Sequence, residues 1–270
     1  MIINTNVQSL ICYRSIQDAG NSLSKASEKI SSGYKINSAK DNPAKHATSK
    51  KIQSQLKSIE KADKNVNDAI SLTQTAEGGM NEVQNIIIRM RELAIQGASS
   101  VVTDDDRKKI QVEIDQLVEQ VDSIAETCSF NGINLLDGTY DSRTFQIGTY
   151  KGETLSLEIL NVTSKALNLK DISYETTENC DKALDICDKA LDIISNYRAT
   201  YGAFQTRLEY VIDSLQTNDI NVKSALSDII DADIASEMIE YTTQNVLLQS
   251  GISMLAQANE KPNELISLLK

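Results

Sequence analysis

The sequence predicts a mainly α protein, an elongated coiled-coil or helical bundle that carries one small β-hairpin region, and three observations predict it. Apolar residues recur four and three positions apart over long stretches. Helix breakers are scarce, with 2 Pro and 11 Gly in 270 residues and no Trp. Midway, about fifty residues abandon that spacing for turn pairs and strict alternation. Few breakers let helices run long, and four-three spacing holds one seam on one helix face for many turns.

The first seam runs Ala62, Val66, Ala69, Thr73, Ala76, Met80, Val83, Ile87, Met90, Ala94. A second runs Ile110, Ile114, Leu117, Val121, Ile124, Cys128. Between them, Gly97 and Ser99 can end one helix, and Thr103 with Asp106 forms a capping-box pattern for the next, so the pair reads as a helical hairpin. A third seam runs Ala183, Cys187, Ala190, Ile194, Tyr197, Tyr201, Phe204, Leu208, Val211, Leu215. After Cys128 the pairs Asn131-Gly132 and Asp137-Gly138 mark turns, and "TLSLEIL" puts Leu155, Leu157 and Ile159 on one side of a strand. The β-region is expected within about 130–176.

Both ends restart the helical pattern. Ile234, Met238, Tyr241, Asn245, Leu248, Ile252, Leu255 and Asn259 keep four-three spacing, and Ile3, Val7 and Leu10 form a shorter stripe. Asn245 and Asn259 in a seam would fix register at some cost in stability. Neither stripe has a local partner, so each must be buried against the other or against another molecule. With one narrow stripe each, the terminal helices are expected to be disordered until assembly. Between the first stripe and the first seam, "SSGYKINSAKDNPAKHATSKK" interrupts the helix. There Gly33 and Asn37 permit conformations a helix excludes. Pro43 forbids helix at Asn42 and suits the first turn of the next helix, so Gly33, Asn37, Asp41 and Pro43 read as a connector.

A net charge of −11 excludes non-specific binding to nucleic acid or to an anionic membrane, because both would repel it. No run approaches the roughly 18 apolar residues of a membrane span. The start "MIINTNVQSLICYRSIQ" lacks the basic and apolar regions of a Sec-type signal, so export would take another route. Cys180 and Cys187 lie two helical turns apart, too far to bridge, and the four cysteines read as buried thiols. His46 is the sole histidine, which removes Ser-His and HExxH chemistry, and no phosphate-binding glycine loop occurs. Asp228, Asp231, Asp233 and Glu237 lack EF-hand spacing and read as helix caps. No catalytic residue, metal or cofactor is expected.

Several segments carry a resemblance: "MIINTNVQSL", "KISSGYKINSAKDNPA", "AEGGMNEVQNIIIRMRELAIQGA", "IQVEIDQL", "FNGINLL", "FQIG", "DIIDADIASEM" and "MLAQANEKPNELISLLK". In this order and spacing the chain resembles bacterial flagellin, in a short form without room for the variable outer domains. The resemblance implies a filament subunit for swimming motility, passed unfolded through the flagellar type III export apparatus. The partners it implies are other copies of the chain, a flagellin chaperone, the filament cap and the hook-associated junction proteins, outside the cell on the flagellum. Residues 1–42 with 233–270 would form the inner coiled coil, packed through Val7, Leu10, Ile234, Met238, Tyr241, Leu248, Ile252 and Leu255. Residues 43–232 would form the outer helical layer. Arg89, Leu93 and Glu113 match positions through which flagellins engage the vertebrate flagellin-sensing Toll-like receptor. "DNPAKHA" departs from the family pattern, and with "TDDDR" also resembles the hook-filament junction protein of the same superfamily. That protein is the alternative function, beside a secreted receptor ligand on a flagellin scaffold.

Overall fold

The computed structural model describes residues 5–139, 142–170 and 172–267, with side chains described to position 262. Five helices are found there: α1 Val7–Ser32, α2 Pro43–Ala98, α3 Asp104–Thr127, α4 Thr177–Ile230 and α5 Ile234–Ser267. Four short strands lie between α3 and α4: β1 Ser129–Phe130, β2 Ile133–Asn134, β3 Ser142–Gln146 and β4 Thr154–Glu158. The chain divides into two compact units, one of residues 1–56 and 220–270, the other of residues 57–219. The divisions fall inside α2 and α4, whereas the sequence reading put them at the connectors near 42 and 233.

In the unit 57–219, every residue of the first seam from Ala62 to Ala94 is buried. Its partners on α3 are Ile110, Ile114, Val121 and Ile124, and on α4 Cys180, Ala183, Cys187, Ala190, Ile194, Tyr201, Phe204 and Leu208, all buried. Leu117, Tyr197 and Val211, also expected in these seams, are half-buried. Two glycines of α2 permit close approach. A Cβ on Gly79 would stand 2.8 Å from Leu136 Cδ1 and 2.9 Å from Cys128 Sγ, and one on Gly97 would stand 2.9 Å from Cys180 Sγ. Burial pushes the Cys128, Cys180 and Cys187 thiols up, which keeps them protonated and unreactive.

The helical hairpin turn is held by a residue that the periodic pattern does not single out. Arg107 is buried, and its guanidinium donates to the carbonyls of Gly97 at 2.9 Å and Ser99 at 3.2 Å, and to Asp104 at 2.8 Å. It thus satisfies carbonyls that the end of α2 leaves without helical partners. Thr103 caps α3 by accepting from Asp106 N. The first β-hairpin turns through Asn131 and Gly132, both at positive φ, the two-residue turn that matches strand twist. Gly138 is also at positive φ, and a Cβ there would strike the Asn161 side chain. Strands β3 and β4 pair antiparallel from Ser142↔Glu158 to Gln146↔Thr154, with Leu155 and Leu157 buried. Tyr201 donates to the Glu158 carbonyl at 3.1 Å, which ties α4 to this hairpin.

The other unit holds α1, the start of α2, the end of α4 and α5, and in it α1 and α5 pair antiparallel. The Asn6 amide donates to the Ala258 carbonyl at 2.7 Å, Gly251 packs on Ile16, and Lys29 pairs with Glu237 at 2.9 Å. The α1 side of this contact is Cys12, Ile16, Ala19, Leu23, Ala26 and Ile30, spaced four and three apart. Asn6 has two roles, because its Oδ1 also caps α1 by accepting from Ser9 N. Its bond to Ala258 fills a defined gap: Pro262 sits inside α5, has no N–H, and so leaves the carbonyl four residues earlier without a helical donor.

Gly78 faces open space while Gly79 is in contact. Replacing an exposed helical Gly by Ala should stabilise by about 0.5–1 kcal/mol, and overpacking a core should cost about 1–3 kcal/mol. Urea unfolding followed by circular dichroism should therefore show Gly78→Ala more stable and Gly79→Val less stable than the parent. Equal shifts of one sign would refute the assigned faces.

Candidate subunit interface

The pairing of α1 with α5 alternates small and large residues, with Ala19 and Ala26 between Ile16, Leu23 and Ile30 on α1. On α5 the residues turned to α1 are Glu237, Tyr241, Gln244, Leu248, Gly251, Leu255 and Ala258, a four-three series. Three of the expected seam residues, Tyr241, Leu248 and Leu255, belong to it and are half-buried. Among the alternate positions Asn245 is half-buried as expected, while Met238, Ile252 and Asn259 are exposed and the neighbouring Glu237, Gly251 and Ala258 are covered instead. At Gly251 size is the physical reason. A Cβ on Gly251 would lie 2.8 Å from Ile16 Cγ1, so only a residue without a side chain fits between the two helices at this distance.

Other large apolar residues are left outside. Ile234, Met238 and Ile252 are exposed, as are Val7 and Leu10 on α1 at 59% and 53%. These five, expected to pack in the filament core, are therefore not covered within a single chain. Ile3, expected in the same stripe, lies outside the described residues. Ile11, Tyr13, Ile239, Val246, Leu247 and Met254 are exposed as well, so large apolar residues stand among the polar ones on the outer part of α5. By contrast, the described buried apolar residues of this unit are only Ala19, Ala26, Ile230 and Ala258. Large apolar residues exposed in this number and set among polar ones mark an association site.

The connector is built from short-range hydrogen bonds. Gly33 ends α1 in the left-handed conformation, its N–H donating to the Lys29 carbonyl at 2.8 Å. The chain then pairs with the segment before α5. The Ala232 N–H donates to the Gly33 carbonyl at 2.9 Å, Lys35 N–H to the Ile230 carbonyl at 2.7 Å, and Lys35 Nζ to the Asp228 carbonyl at 2.6 Å. Asp41 gathers Asn37 N–H, Ser38 N–H and the Ser38 hydroxyl at 2.9–3.1 Å. The Ser38 backbone donor, then its hydroxyl, hold the Asp41 carboxyl below the usual carboxylate range. Asn42 caps α2 through Lys45 N, and Pro43 opens it, where a missing N–H costs nothing. Asn37 does not take the left-handed conformation; the described non-glycine residues at positive φ are Asn131 and Asn168. Its part in the connector is to offer a backbone donor to Asp41. Asp233 caps α5 by accepting from Ala235 and Ser236.

On the other unit, Arg89 Nη2 donates to Glu113 Oε1 at 2.8 Å and Nε to the same oxygen at 3.1 Å, with both side chains about half exposed. Leu93 is 2% exposed and packs in the core, so it presents no contact surface. The helix period explains the difference, since Leu93 falls three residues after the buried Met90 on the seam side.

Comparison with known proteins decides between the families this geometry allows. Residues 3–141 match the bacterial flagellin N-terminal helical region, and residues 184–269 match the bacterial flagellin C-terminal helical region. Flagellin of Halalkalibacterium halodurans is 39% identical, with 100% of each chain covered. The chain belongs to the bacterial flagellin family. Among solved structures, Bacillus cereus flagellin is similar with a TM-score of 0.52 at 27% identity, covering 56% of this chain and 88% of that one. A putative flagellar hook-associated protein from Vibrio parahaemolyticus reaches a TM-score of 0.60 at 16% identity, covering 71% of this chain and 100% of the other, which shows a shared fold alone. As a flagellin, the chain is a structural subunit of the flagellar filament and polymerises with copies of itself. Only residues 142–183 separate the two matched regions, so this flagellin is of the core-only kind.

Leu93→Ala should lower the unfolding free energy by about 2–5 kcal/mol, the cost of deleting a buried Leu side chain. Arg89→Ala, on the surface, should leave the thermal midpoint within error. The reverse ranking in a calorimetric scan would overturn the placement of both.

Proposed function

We propose that the exposed apolar faces of α1 and α5 are the surfaces through which copies of this flagellin pack in the filament. The observation that carries it is α5 itself, covered on one side only in a single chain and leaving Ile234, Met238, Ile239, Val246, Leu247, Ile252 and Met254 exposed. Val7, Leu10, Ile234, Met238 and Ile252 are then covered by neighbouring copies, while Tyr241, Leu248 and Leu255 serve the pairing with α1. Residues 1–42 with 233–270 form the inner layer, residues 43–232 the outer one, and Gly33, Asn37, Asp41 and Pro43 carry the chain between them. The product of the activity is a polymer outside the cell, and no catalytic step belongs to it. Its subunits travel unfolded through the flagellar export apparatus without a Sec-type signal, guarded by a flagellin chaperone, and meet the cap and the hook-associated junction proteins at assembly.

The thin core of the α1–α5 unit makes it the first to open, since local stability follows buried apolar contact. Limited proteolysis of the unassembled chain should cut α1 and α5 first and leave residues 57–219, and both helices should resist in the filament. Equal protection before and after polymerisation would contradict the proposed packing.

The exposed Arg89–Glu113 pair supports a second contact, with the vertebrate flagellin-sensing Toll-like receptor that the family resemblance implies. Leu93 takes part only by holding the helix from beneath. Arg89→Ala should shift the receptor dose response to higher protein concentration, and an unchanged curve rules this contact out.

A further inference from the structure

The two thiols at the start of α4 are held apart by one residue. Cys180 and Cys187 are fully buried, and so is Tyr174, which touches both. Its carbonyl accepts from Cys180 Sγ at 3.4 Å, and its hydroxyl lies 3.7 Å from Cys187 Sγ. Gln111 fixes Tyr174 in turn by accepting from its N–H at 2.7 Å. Cys180 Sγ also closes on Gly97, where a Cβ would stand 2.9 Å away. The first turn of α4 is tied as well: the Thr176 carbonyl accepts from Cys180 N–H at 3.0 Å, and the Thr177 hydroxyl accepts from Arg107 at 3.3 Å. Both sulfurs therefore belong to the joint where α2, α3 and α4 meet.

Helix and disulfide exclude each other at this pair. Seven positions of α-helix span roughly 10 Å, and a disulfide needs its Cα atoms within about 7 Å. The bridge forms only if the start of α4 unwinds, which takes Cys180 from Gly97 and both sulfurs from Tyr174. In the unfolded chain the same pair is the easiest to close. Loop closure favours this short span over the much longer one between Cys128 and Cys180 by roughly twentyfold. In the folded unit Cys128 is no rival, because its sulfur lies against Gly79, roughly 27 Å from Gly97 along α2.

We propose that Cys180 and Cys187 form a redox switch on folding: a chain oxidised at this pair cannot close the start of α4, and a chain folded first is not oxidised there. The oxidant is a small disulfide of the glutathione kind. One cysteine thiolate displaces a small thiol and forms a mixed disulfide, and the second displaces the other small thiol and completes the bridge. Two electrons pass to the small disulfide, and the two cysteine protons end on its two thiol products. Folding guards the pair in two ways. Both sulfurs are out of solvent, and burial pushes both thiols up, away from the thiolate that reacts. The switch goes beyond the filament reading and does not depend on it.

The test uses the unaltered full chain, treated with oxidised glutathione either folded or in urea, quenched in acid and separated by reversed-phase chromatography. Peptide masses after digestion identify the Cys180–Cys187 bridge. The unfolded chain should form it at least about tenfold faster than the folded chain. Returned to buffer, the bridged species should show amide-exchange protection over residues 174–190 lower by at least about tenfold than the reduced chain, with reduced helicity by circular dichroism. Dithiothreitol should restore both. Bridge formation at one rate in the two states overturns the proposal, and so does a bridged chain that keeps the reduced chain's protection over 174–190. An unfolded chain that forms other bridges in preference to this one overturns it too.

Discussion

The close approach of α1 and α5 is the constraint on which the rest of this subunit depends. Ala19, Ala26, Gly251 and Ala258 occupy alternate seam positions, and Ile16 lies where a side chain on Gly251 would stand. Small residues let the two backbones come near, and they bury little apolar area in doing so. At about 25 cal/mol per Å² of apolar surface removed from water, such a seam contributes little by itself. The apolar area is instead held on the outer faces of the pair, where Ile239 is 68% exposed and Val246 64%. Surface of that kind gains most when other copies cover it. A helix pair that is weak alone and strong in company suits a subunit whose final environment is a polymer.

The unit 57–219 solves the opposite problem. There the seams close on one another within one chain, with Met80, Val83, Ile87 and Met90 fully buried against α3 and α4. Its long connections are tied down by side chains of α3: Asp122 accepts from Ser164 N and Oγ at 2.8 and 2.7 Å, and Gln111 accepts from Tyr174 N at 2.7 Å. Burial raises the pKa of Tyr201 to about 12, so its hydroxyl stays protonated and keeps its bond to the β3–β4 hairpin through the whole physiological range. Self-sufficiency in this unit and dependence in the other follow from where each sequence puts its large apolar residues.

The same contrast explains what could be read from the sequence. The first seam was legible residue by residue from Ala62 to Ala94, because its helix is apolar on one face and polar on the other. The α5 seam was legible only at Tyr241, Asn245, Leu248 and Leu255. Periodicity selects no single face on a helix whose large apolar residues are spread this widely, and Met238 and Ile252 fit a four-three series as well as their neighbours do. The true alternates, Glu237, Gly251 and Ala258, are chosen by fit to α1, which no local pattern encodes. Leu93 lies in the core, which its motif match did not show, since a match says nothing of which side of the helix a residue takes. Arg107 and Asn6 were missed because each serves backbone groups made orphan elsewhere, at the end of α2 and opposite Pro262. A proline inside a predicted helix is the one signal that could have prompted the search: some donor must meet the carbonyl four residues before it.

Apolar and charged surfaces also do different things in an assembly. Burial of apolar area is strong but has no direction, and apolar contacts alone would let α5 slide or rotate against its neighbours at small cost. Register must come from groups that are costly to misplace. Within the chain this is visible at the ends of the α1–α5 pair, where Asn6 binds the Ala258 carbonyl and Lys29 meets Glu237. Sliding by one residue would leave that carbonyl without a donor, at a cost of about 1–3 kcal/mol for an unsatisfied buried group. A polymer needs the same division of labour between copies, because thousands of equivalent contacts must repeat one geometry. Apolar faces can hold the subunits together, but only spaced polar and charged groups can tell each subunit where to stop.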